Sequence, residues 1–332
     1  MSSDPVLRRI LAAYGLHNGT LSAVQKGYRN ESHAVTLEDG RRLNLILYKS
    51  EPGIVAKIKN AEYVASWLHD HGLVVRTQTD KRIVHLQSHH RHKYGALYSY
   101  LPGKTIPWEA YTQTHIKALG GALSDMHAAL TDLPRRQGGQ VANEYLALQK
   151  RMHRYFTSPN VCAAMEAKLG LQLPQRTLSG LVRLLKLAEG LPGQHWLHMD
   201  FVRGNILFAG ERISGVIDFE KCAWGHPLFD IARTLAFLIV DCKYKSEEKV
   251  RKYFLHSGYT KRGASSFTNI RLITEHGDIN ILESMIDMFL VYDFYKFLLH
   301  NPYEYLGQNE HYLRTVELLT KRQLAKRIQV VV

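Results

Sequence analysis

The segment 196-WLHMDFVRGNILF-208 places three side chains that can do chemistry between two apolar runs. His198 can exchange a proton, Asp200 can accept one, and Asn205 offers an amide oxygen to a cation. The flanking apolar residues are predicted to be buried strand ends, so the polar residues fall in the loop between them. Such a switch from buried to polar and back indicates either a tight structural turn or a functional site.

A second acidic group lies at the end of the apolar run 215-GVIDFE-220. Gly210 separates this run from the previous one, so the two are predicted to form a hairpin that brings Asn205 and Asp218 to one end. An amide oxygen and a carboxylate are hard ligands that suit Mg²⁺, which takes its other ligands from water and phosphates. Asp200 would then accept a proton from a hydroxyl nucleophile, which is the recurring layout of phosphoryl transfer.

The elements that position these residues fall into two regions. A β-rich region with one main helix is predicted over residues 1–101, and a mainly helical region over 102–332. In the second region apolar residues recur at helical spacing over 116–130 and 279–297. We therefore predict an α+β, bilobal fold with a small antiparallel β-sheet lobe, a larger helical lobe and a ligand in the cleft between them.

Turn and period signals place the strands of the β-rich region. Asp39-Gly40 is a hairpin turn signal between two alternating apolar runs, and the helix that follows ends at Gly72. A second hairpin is predicted from strands at 82–86 and 95–101, joined by the polar loop 87–94.

The composition limits the class of protein. Hydrophobic residues make up 45% of the 332 residues and charged residues 22%, which is typical of a globular chain. No apolar run reaches the ~20 residues of a membrane span, so no membrane partner is predicted. Cys162, Cys222 and Cys242 are odd in number and far apart, which suggests a reducing, cytoplasmic location rather than a disulfide framework.

The net charge of +13 suits an anionic partner such as a nucleotide, a nucleic acid or a membrane surface. The basic residues are spread along the chain, however, which is typical of dispersed solubilising charge. No nucleic-acid module is recognisable, so no specific nucleic acid is expected as a partner.

The order of these motifs resembles that of a known family. The pattern His198-x-Asp200-x4-Asn205, followed by 217-IDFE-220 and 225-GHPLFDIA-232, is similar to that of the aminoglycoside phosphotransferase and choline kinase family, which has a protein-kinase-like fold. The resemblance runs from about residue 20 to 240. It implies an ATP-dependent phosphotransferase that transfers the γ-phosphate of ATP to a hydroxyl of an aminoglycoside-, amino-alcohol- or sugar-like molecule.

The resemblance also implies the roles of the site residues. Asp200 would be the catalytic base, and Asn205 and Asp218 would hold Mg²⁺. His198 and Asp230 would support the catalytic loop through hydrogen bonds rather than take part in proton transfer.

The small lobe carries the nucleotide-binding residues that the resemblance implies. The segment 27-GYRN-30 resembles the phosphate-covering loop, and 97-LYSYLPG-103 resembles the hinge, whose Ser99 carbonyl and Leu101 amide would bind adenine. The implied ATP-binding residues are Gly27, Asn30, Ser32, Lys49, Glu62, Ser99 and Leu101.

One position departs from the family pattern. The family usually has a basic residue in the third strand, where it holds the α- and β-phosphates and pairs with a glutamate of the small-lobe helix. The resemblance puts that glutamate at Glu62, but 42-RLNLILYKS-50 has Ile46 at the strand position. Strand alternation puts Lys49 on the opposite face, so Lys49 replaces that residue only if the strand bulges or ends after Tyr48. Other basic residues that could supply the charge are Lys26, Arg29, Lys57 and Lys59.

Substrate contacts are expected from Arg203, Glu220, Asp287 and Asp293. Arg203 could face phosphate or an anionic substrate, whereas a carboxylate face at Asp287 and Asp293 would suit a cationic one. The alternative for these two carboxylates is a solvated helix surface. Two other protein classes also remain open: a regulatory pseudokinase, favoured by Ile46, and, less so, a nucleic-acid binder, favoured by the charge.

Overall fold

The computed structural model divides the chain into two compact units. The described residues are 5–22, 25–26, 30–88, 91–136, 138–180, 184, 190–262, 275–276 and 279–328. The β-rich unit consists of Met1–Lys104, Asn205–Gly210 and Ser214–Cys222, and the helical unit of Thr105–Gly204, Glu211–Ile213 and Ala223–Val332. Two later segments therefore belong to the unit of the N-terminal sheet, whereas the sequence predicts a single division between residues 101 and 102.

The secondary structure elements are numbered along the chain. The strands are β1 (Thr20–Leu21), β2 (Gln25–Lys26), β3 (Glu31–Thr36), β4 (Arg42–Lys49), β5 (Val84–Ser88), β6 (Arg91–Ser99), β7 (Leu171–Gln172), β8 (His195–Leu197), β9 (Ile206–Ala209), β10 (Arg212–Val216), β11 (Ala223–Gly225), β12 (Glu275–His276), β13 (Ile279–Asn280) and β14 (Lys326–Arg327). The helices are α1 (Pro5–Ala13), α2 (Ile54–Asp70), α3 (Gln113–Leu130), α4 (Val141–Phe156), α5 (Pro159–Leu169), α6 (Leu228–Asp241), α7 (Glu247–Arg251), α8 (Thr260–Arg262), α9 (Ile281–His300), α10 (Tyr303–Leu306) and α11 (Glu310–Lys321). Short 3₁₀ segments at Trp108–Ala110 and Arg203–Asn205 and a π-helical segment at Lys252–Tyr259 are also present.

An antiparallel sheet forms the centre of the β-rich unit. Its strand order is β1-β3-β4-β6-β5, and β2 also pairs with β3. The predicted hairpin between β3 and β4 is confirmed, with Gly40 at a φ of 82° in its turn. A positive φ is a conformation that glycine adopts without steric cost, which explains the Asp-Gly signal.

The two faces of β4 pack against different helices, as strand alternation predicts. Leu45 and Leu47 belong to a buried cluster with α1. Ile46 and Tyr48 belong to another cluster with α2, which begins at Ile54. The strand therefore continues regularly to Lys49, whose exposed side chain lies on the α1 face.

The second hairpin is longer than predicted. Strands β5 and β6 extend into the expected polar loop 87–94, where Gln87 pairs with His92 and Ser88 with Arg91. The loop prediction was wrong because paired strand ends that face solvent do not need apolar residues. His85 stacks on Tyr94, with ring centroids 4.7 Å apart, and polar rings thus cover this end of the ribbon.

The later segments of the β-rich unit are joined to it by backbone hydrogen bonds. Strands β9 and β10 pair as the sequence predicts. The amide of Val216 donates to the Val74 carbonyl at 3.0 Å, and the amide of Arg76 donates to the Val216 carbonyl at 3.0 Å. A Cβ on Gly103 would lie 2.9 Å from the Phe208 carbonyl oxygen, so glycine permits the close approach of these segments.

Helices dominate the second unit. Helix α9 packs against α6 and α11, and its buried side chains include Ile286, Leu290 and Phe294. Helix α3 packs on the π-helical segment so closely that a Cβ on Gly120 would lie 2.1 Å from the Phe254 carbonyl oxygen. No helix in the described part of the chain is long and apolar enough to cross a membrane.

Candidate active site

In the helical unit, Asp200 forms a buried charge pair. Arg233 Nη2 donates to Asp200 Oδ1 at 2.8 Å, and the two side chains are 7% and 9% exposed. Arg233 lies on α6, and its Nη1 also donates to the Tyr145 hydroxyl at 3.3 Å. The predicted catalytic carboxylate is therefore oriented by a guanidinium through one of its oxygens.

Asp230, also on α6, holds the backbone that leads to Asp200. Its carboxylate accepts hydrogen bonds from the amides of His198 at 2.8 Å and Met199 at 2.6 Å. Met199 has a φ of 58°, in the left-handed region that non-glycine residues rarely adopt. The two hydrogen bonds from consecutive amides stabilise this conformation.

Burial by itself would raise the pKa of Asp230. The hydrogen bond and charge of His127 outweigh burial and lower the pKa below its ordinary value. His127 Nε2 lies 3.2 Å from Asp230 Oδ2, and its Nδ1 lies 2.7 Å from the Tyr259 hydroxyl. Asp230 is therefore ionised while it accepts these hydrogen bonds.

His198 is fully buried beside this carboxylate. The amide of Asp200 donates to His198 Nδ1 at 3.1 Å, so that ring nitrogen is an acceptor and carries no proton. Its ring also meets Phe201 edge-on, with centroids 5.9 Å apart. These contacts are consistent with a structural role of His198 in the loop that carries Asp200.

In the β-rich unit, the predicted metal ligands lie at one end of the β9–β10 pair. The amide of Ile217 donates to the Asn205 carbonyl at 3.0 Å, which places Asp218 one residue beyond the joined backbones. Asn205 is buried, and Asp218 is half-buried with a φ of 68°. A non-glycine residue with positive φ is uncommon and is often found at functional sites.

A pocket in the same unit collects three carboxylates and one guanidinium. Its lining residues are Ala61, Glu62, Ala65, Arg76, Tyr98, Asp218, Phe219 and Glu220. Burial raises the pKa of Glu220, but its hydrogen bond with Asp218 and the charge of Arg76 outweigh burial and lower the pKa. Carboxyl groups gathered in one pocket favour a bound cation.

Two tyrosine hydroxyls fix Glu220. Tyr48 donates to Glu220 Oε1 at 2.5 Å, and its oxygen lies 2.6 Å from that of Tyr98. Burial and the charge of Glu220 raise the pKa of both tyrosines, so both are protonated donors. Glu220 Oε2 is buried and has no hydrogen-bond partner among the described residues.

Glu62 on α2 has partners other than the predicted lysine. It accepts a hydrogen bond from the Ser66 hydroxyl at 2.6 Å and one from the Gln78 amide at 2.7 Å, and it forms a salt bridge with Lys81. The structure does not bring Lys49 to Glu62, because Lys49 is exposed on the other face of β4.

The other basic residues named from the sequence do not reach Glu62 within the described structure either. Lys57 pairs with Glu51 at 2.6 Å, and Lys59 is exposed. The side chain of Lys26, and Arg29, lie outside the described residues, so those two candidates stay predictions.

The predicted adenine and phosphate positions also lie in the β-rich unit. Ser99 ends β6, and its amide donates to the Thr77 carbonyl at 2.9 Å. Leu101 packs on Gly215, where a Cβ would lie 2.6 Å from Leu101 Cδ1. Asn30 is half-buried before β3, Ser32 lies on that strand, and Gly27 lies outside the described residues.

Two of the predicted substrate carboxylates already have cationic partners in the helical unit. Asp287 forms a salt bridge with Arg322, and Asp293 lies 2.8 Å from His311. Glu220 lines the pocket of the β-rich unit, and Arg203 is half-buried in the 3₁₀ segment. Their roles toward a substrate stay predictions.

Sequence reasoning missed Arg233, His127 and Arg76. The sequence does contain an indication of the role of Arg233. A basic residue inside the apolar helix 228-LFDIARTLAFLIVD-241 needs a buried acidic partner. The indication for His127 is weaker, since its place on the apolar stripe of α3 predicts burial but no partner. No pattern in the sequence indicates the position of Arg76, because its neighbours come from distant segments.

Solved structures of small-molecule kinases share this fold. A microcompartment-associated aminopropanol kinase superposes with a TM-score of 0.68 at 15% identity, over 96% of this chain and 98% of that one. An amicoumacin kinase in complex with AMP-PNP, Ca²⁺ and Ami superposes with a TM-score of 0.63 at 14% identity, over 96% of both chains. The predicted fold class, a small antiparallel sheet with one main helix and a larger helical part, is confirmed as that of small-molecule kinases.

The sequence profile of the phosphotransferase enzyme family matches residues 20–247, and the chain therefore belongs to this family. A homoserine kinase from Methylobacterium nodulans is 33% identical over 122 residues, which are 36% of this chain and 34% of that protein. The match thus spans about a third of the length of the curated relatives. Family and fold do not favour the pseudokinase or nucleic-acid alternatives.

Proposed function

We propose that the protein is a kinase that transfers the γ-phosphate of ATP to a hydroxyl group of a small molecule. Its membership of the phosphotransferase family and the order of Asp200, Asn205 and Asp218 along the chain support this function. The observation that carries the proposal is the hydrogen bond from the Ile217 amide to the Asn205 carbonyl, which fixes the two predicted metal ligands at one hairpin end.

Asn205 and Asp218 would hold Mg²⁺, which supplies charge neutralisation on the phosphates when it is bound. Their oxygens are hard donors, as this ion requires. The fit is supported by Glu220, whose buried Oε2 has no hydrogen-bond partner among the described residues and whose carboxylate interacts with Asp218. A cation in this pocket would supply the compensating charge.

Asp200 would accept the proton of the attacking hydroxyl. The hydroxyl oxygen forms a bond to the γ-phosphorus, the bond from that phosphorus to the β–γ bridging oxygen breaks, and ADP leaves with the electron pair. Arg233 acts as a positioning residue, because it holds Asp200 Oδ1 and so sets the direction of the carboxylate. His198 and Asp230 would keep the loop in its left-handed turn at Met199.

The β-rich unit would bind the nucleotide. The Ser99 carbonyl and the Leu101 amide would contact adenine, and Gly27, Asn30 and Ser32 would lie along the phosphates. Glu62 lines the pocket of this unit and would belong to the nucleotide site. A basic side chain from outside the strand position of Ile46 would meet the non-transferred phosphates.

The acceptor would be a small molecule of amino-alcohol, aminoglycoside or sugar type. The partial similarity to a homoserine kinase and the shared fold with an aminopropanol kinase support an acceptor with both an amine and a hydroxyl. An amine that reached Asp287 or Asp293 would have to share each carboxylate with Arg322 or His311. We place the reaction in the cytoplasm, where ATP is available and where the absence of disulfides among Cys162, Cys222 and Cys242 is expected.

The test is an ADP-release assay over a panel of hydroxylated metabolites, amino alcohols and aminoglycosides, with the wild type and Asp200→Asn. We expect at least one acceptor to accelerate ADP release and the variant to lose about 10²–10⁴-fold in turnover, because the general base is removed. Nucleotide affinity should be unchanged. Wild-type turnover in Asp200→Asn, or no acceptor-dependent ADP release with any compound, would contradict the proposal.

A further inference from the structure

The proposed function needs a basic side chain at the α- and β-phosphates, and the assignment of that side chain rests on the proposed function. The family position for that residue is Ile46, which is buried against α2 in an apolar cluster with Ile58. A charge at this point would lie among apolar side chains, and the chain has none there. Another residue has to supply it.

Arg76 is held beside the predicted metal ligand by the backbone. Its amide donates to the Val216 carbonyl at 3.0 Å, and Val216 lies two residues before Asp218. Val75 forms a parallel bridge with Val216, so the short ladder fixes the register of both segments. The half-buried side chain of Arg76 lines the pocket with Glu62, Asp218 and Glu220.

Neighbouring groups orient the guanidinium of Arg76. It lies over the ring of Tyr98, 5.2 Å from the centroid. When the Asn44 amide takes the orientation that satisfies its neighbours, its oxygen accepts a hydrogen bond from Arg76 Nη1 at 3.1 Å and its nitrogen donates to the His33 carbonyl at 3.1 Å. The Ser32 hydroxyl lies 2.8 Å from the Asn44 amide, so Asn44 lies between this guanidinium and a residue proposed to lie along the phosphates.

These contacts leave Arg76 able to bind an anion. Its interactions within the described structure are with a ring, an amide oxygen and, at longer range, Glu220, and none of them is a salt bridge. A guanidinium has five N–H donors, and one of them is used by Asn44. The remaining donors form the planar fork that matches phosphate oxygens.

The charge balance of the pocket favours the same role. Three carboxylates and one guanidinium line it. Lys81 compensates Glu62, so Arg76 is the positive group that lines the pocket beside Asp218 and Glu220. A nucleotide that entered with a divalent cation on Asp218 would meet Arg76 as the fixed positive charge.

We propose that Arg76 binds the non-transferred phosphates of the nucleotide, in place of the strand lysine that Ile46 excludes. Lys81 is the rival, because it pairs with Glu62 as the usual lysine does, but its side chain is 69% exposed and does not line the pocket. Lys49 lies on the opposite face of β4 and is the matched control, since it is a basic residue of the same sheet.

The experiment measures the affinities of ADP and adenosine by calorimetry or by competition with a fluorescent nucleotide, without turnover. The variants are Arg76→Ala, Arg76→Lys, Lys81→Met and Lys49→Ala. We expect Arg76→Ala to weaken ADP about 10- to 100-fold, the loss typical of a charge-assisted hydrogen bond, with little change for adenosine. Arg76→Lys should retain part of the affinity, and Lys49→Ala should match the wild type.

Wild-type ADP affinity in Arg76→Ala would overturn the inference, and selective loss of ADP affinity in Lys81→Met alone would assign the role to Lys81. Equal losses for ADP and adenosine in Arg76→Ala would also overturn it, because they indicate a structural role. If Arg76→Ala does not fold, the ratio of ADP to adenosine affinity in Arg76→Lys decides, and an unchanged ratio contradicts the inference. A wild type that binds neither ADP nor adenosine would contradict the proposed function itself, and this outcome is distinguishable from a failure of the Arg76 assignment alone.

Discussion

The buried charge pair of Asp200 and Arg233 is the main electrostatic feature of the helical unit's site. A buried pair is not in itself strong evidence for stability, since removing two charges from water costs about as much as their attraction returns. The pair orients the Asp200 carboxylate, because Arg233 donates to one of its oxygens at 2.8 Å. The pair therefore stabilises a defined direction of the carboxylate in the proposed catalytic loop.

Arg233→Met tests the pair, because it leaves the Asp200 carboxylate buried with its guanidinium partner removed. We expect it to lower the free energy of unfolding by about 3–5 kcal/mol, the typical result of breaking a buried pair from one side. The double variant Asp200→Asn/Arg233→Met should lose less than the sum of the single variants, because the asparagine carries no charge. Urea unfolding of all four proteins measures this, and additive losses would show that the two side chains are not coupled.

Some of these residues could be predicted from sequence and others could not. Asp200, Asn205 and Asp218 belong to one ordered pattern of motifs, so their type and spacing indicate their chemistry. Arg76 is different, because its neighbours Asn44 and Glu220 are 32 and 144 residues away along the chain, and no local period connects them. A replacement for Ile46 could therefore be expected from the sequence, but Arg76 could not be proposed for it before the fold placed its side chain in one pocket with Asp218.

Among the secondary structure elements, those with a regular hydrophobic pattern are the ones that the sequence predicts best. The alternation of β4 predicted the two faces of the strand, since a period of two places Ile46 and Tyr48 together. The polar ends of β5 and β6 were predicted as a loop, because a solvent-facing ribbon has no apolar alternation to detect. Hydrophobic periodicity thus locates elements that face a core and misses parts that do not.

The end of α11 shows a local feature that the sequence does not mark. The amide of Gln323 donates to the Thr320 carbonyl at 3.0 Å and that of Leu324 to the Leu319 carbonyl at 2.8 Å, the hydrogen-bond pattern of a Schellman motif. Gln323 has a φ of 59° and is exposed. This position usually carries glycine, so the glutamine is conformationally strained.

Gln323→Gly should raise the free energy of unfolding by about 0.5–1 kcal/mol. Glycine adopts the left-handed conformation without the penalty of a Cβ, and the gain is reduced by its larger entropy in the unfolded chain. Chemical denaturation measures the change, and Gln323→Ala is the control that keeps a Cβ and should show no gain. Equal stability of the glycine and alanine variants would contradict this explanation.

Each of the two units is assembled from segments that are discontinuous in sequence. The chain passes from the helical unit to the β-rich unit after Gly204, so Asp200 and Asn205 are only five residues apart yet belong to different units. A single boundary along the sequence cannot express this, because the hairpin of residues 206–216 is joined by hydrogen bonds to residues 74–76 and 104.

The pH dependence of stability provides a global test of the helical unit, through His311. Its ring nitrogens contact Asp241 and, at 2.8 Å, Asp293. Burial alone would lower the pKa of His311, but the hydrogen bonds and charges of the two carboxylates outweigh burial and raise the pKa to about 10, above the ordinary 6.5. The folded protein therefore holds one more proton than the unfolded chain between these two values.

This group contributes its full stabilisation below pH 6.5 and loses it as the pH rises through about 10. Linkage limits the contribution to a fall of about 1.4 kcal/mol per pH unit within that window. The measurement is the free energy of unfolding of the wild type and His311→Gln from pH 6 to 10, because their difference removes the titration of other groups. We expect the advantage of the wild type to shrink steadily with pH. A difference that stays constant across this range would show that His311 does not gain a proton on folding.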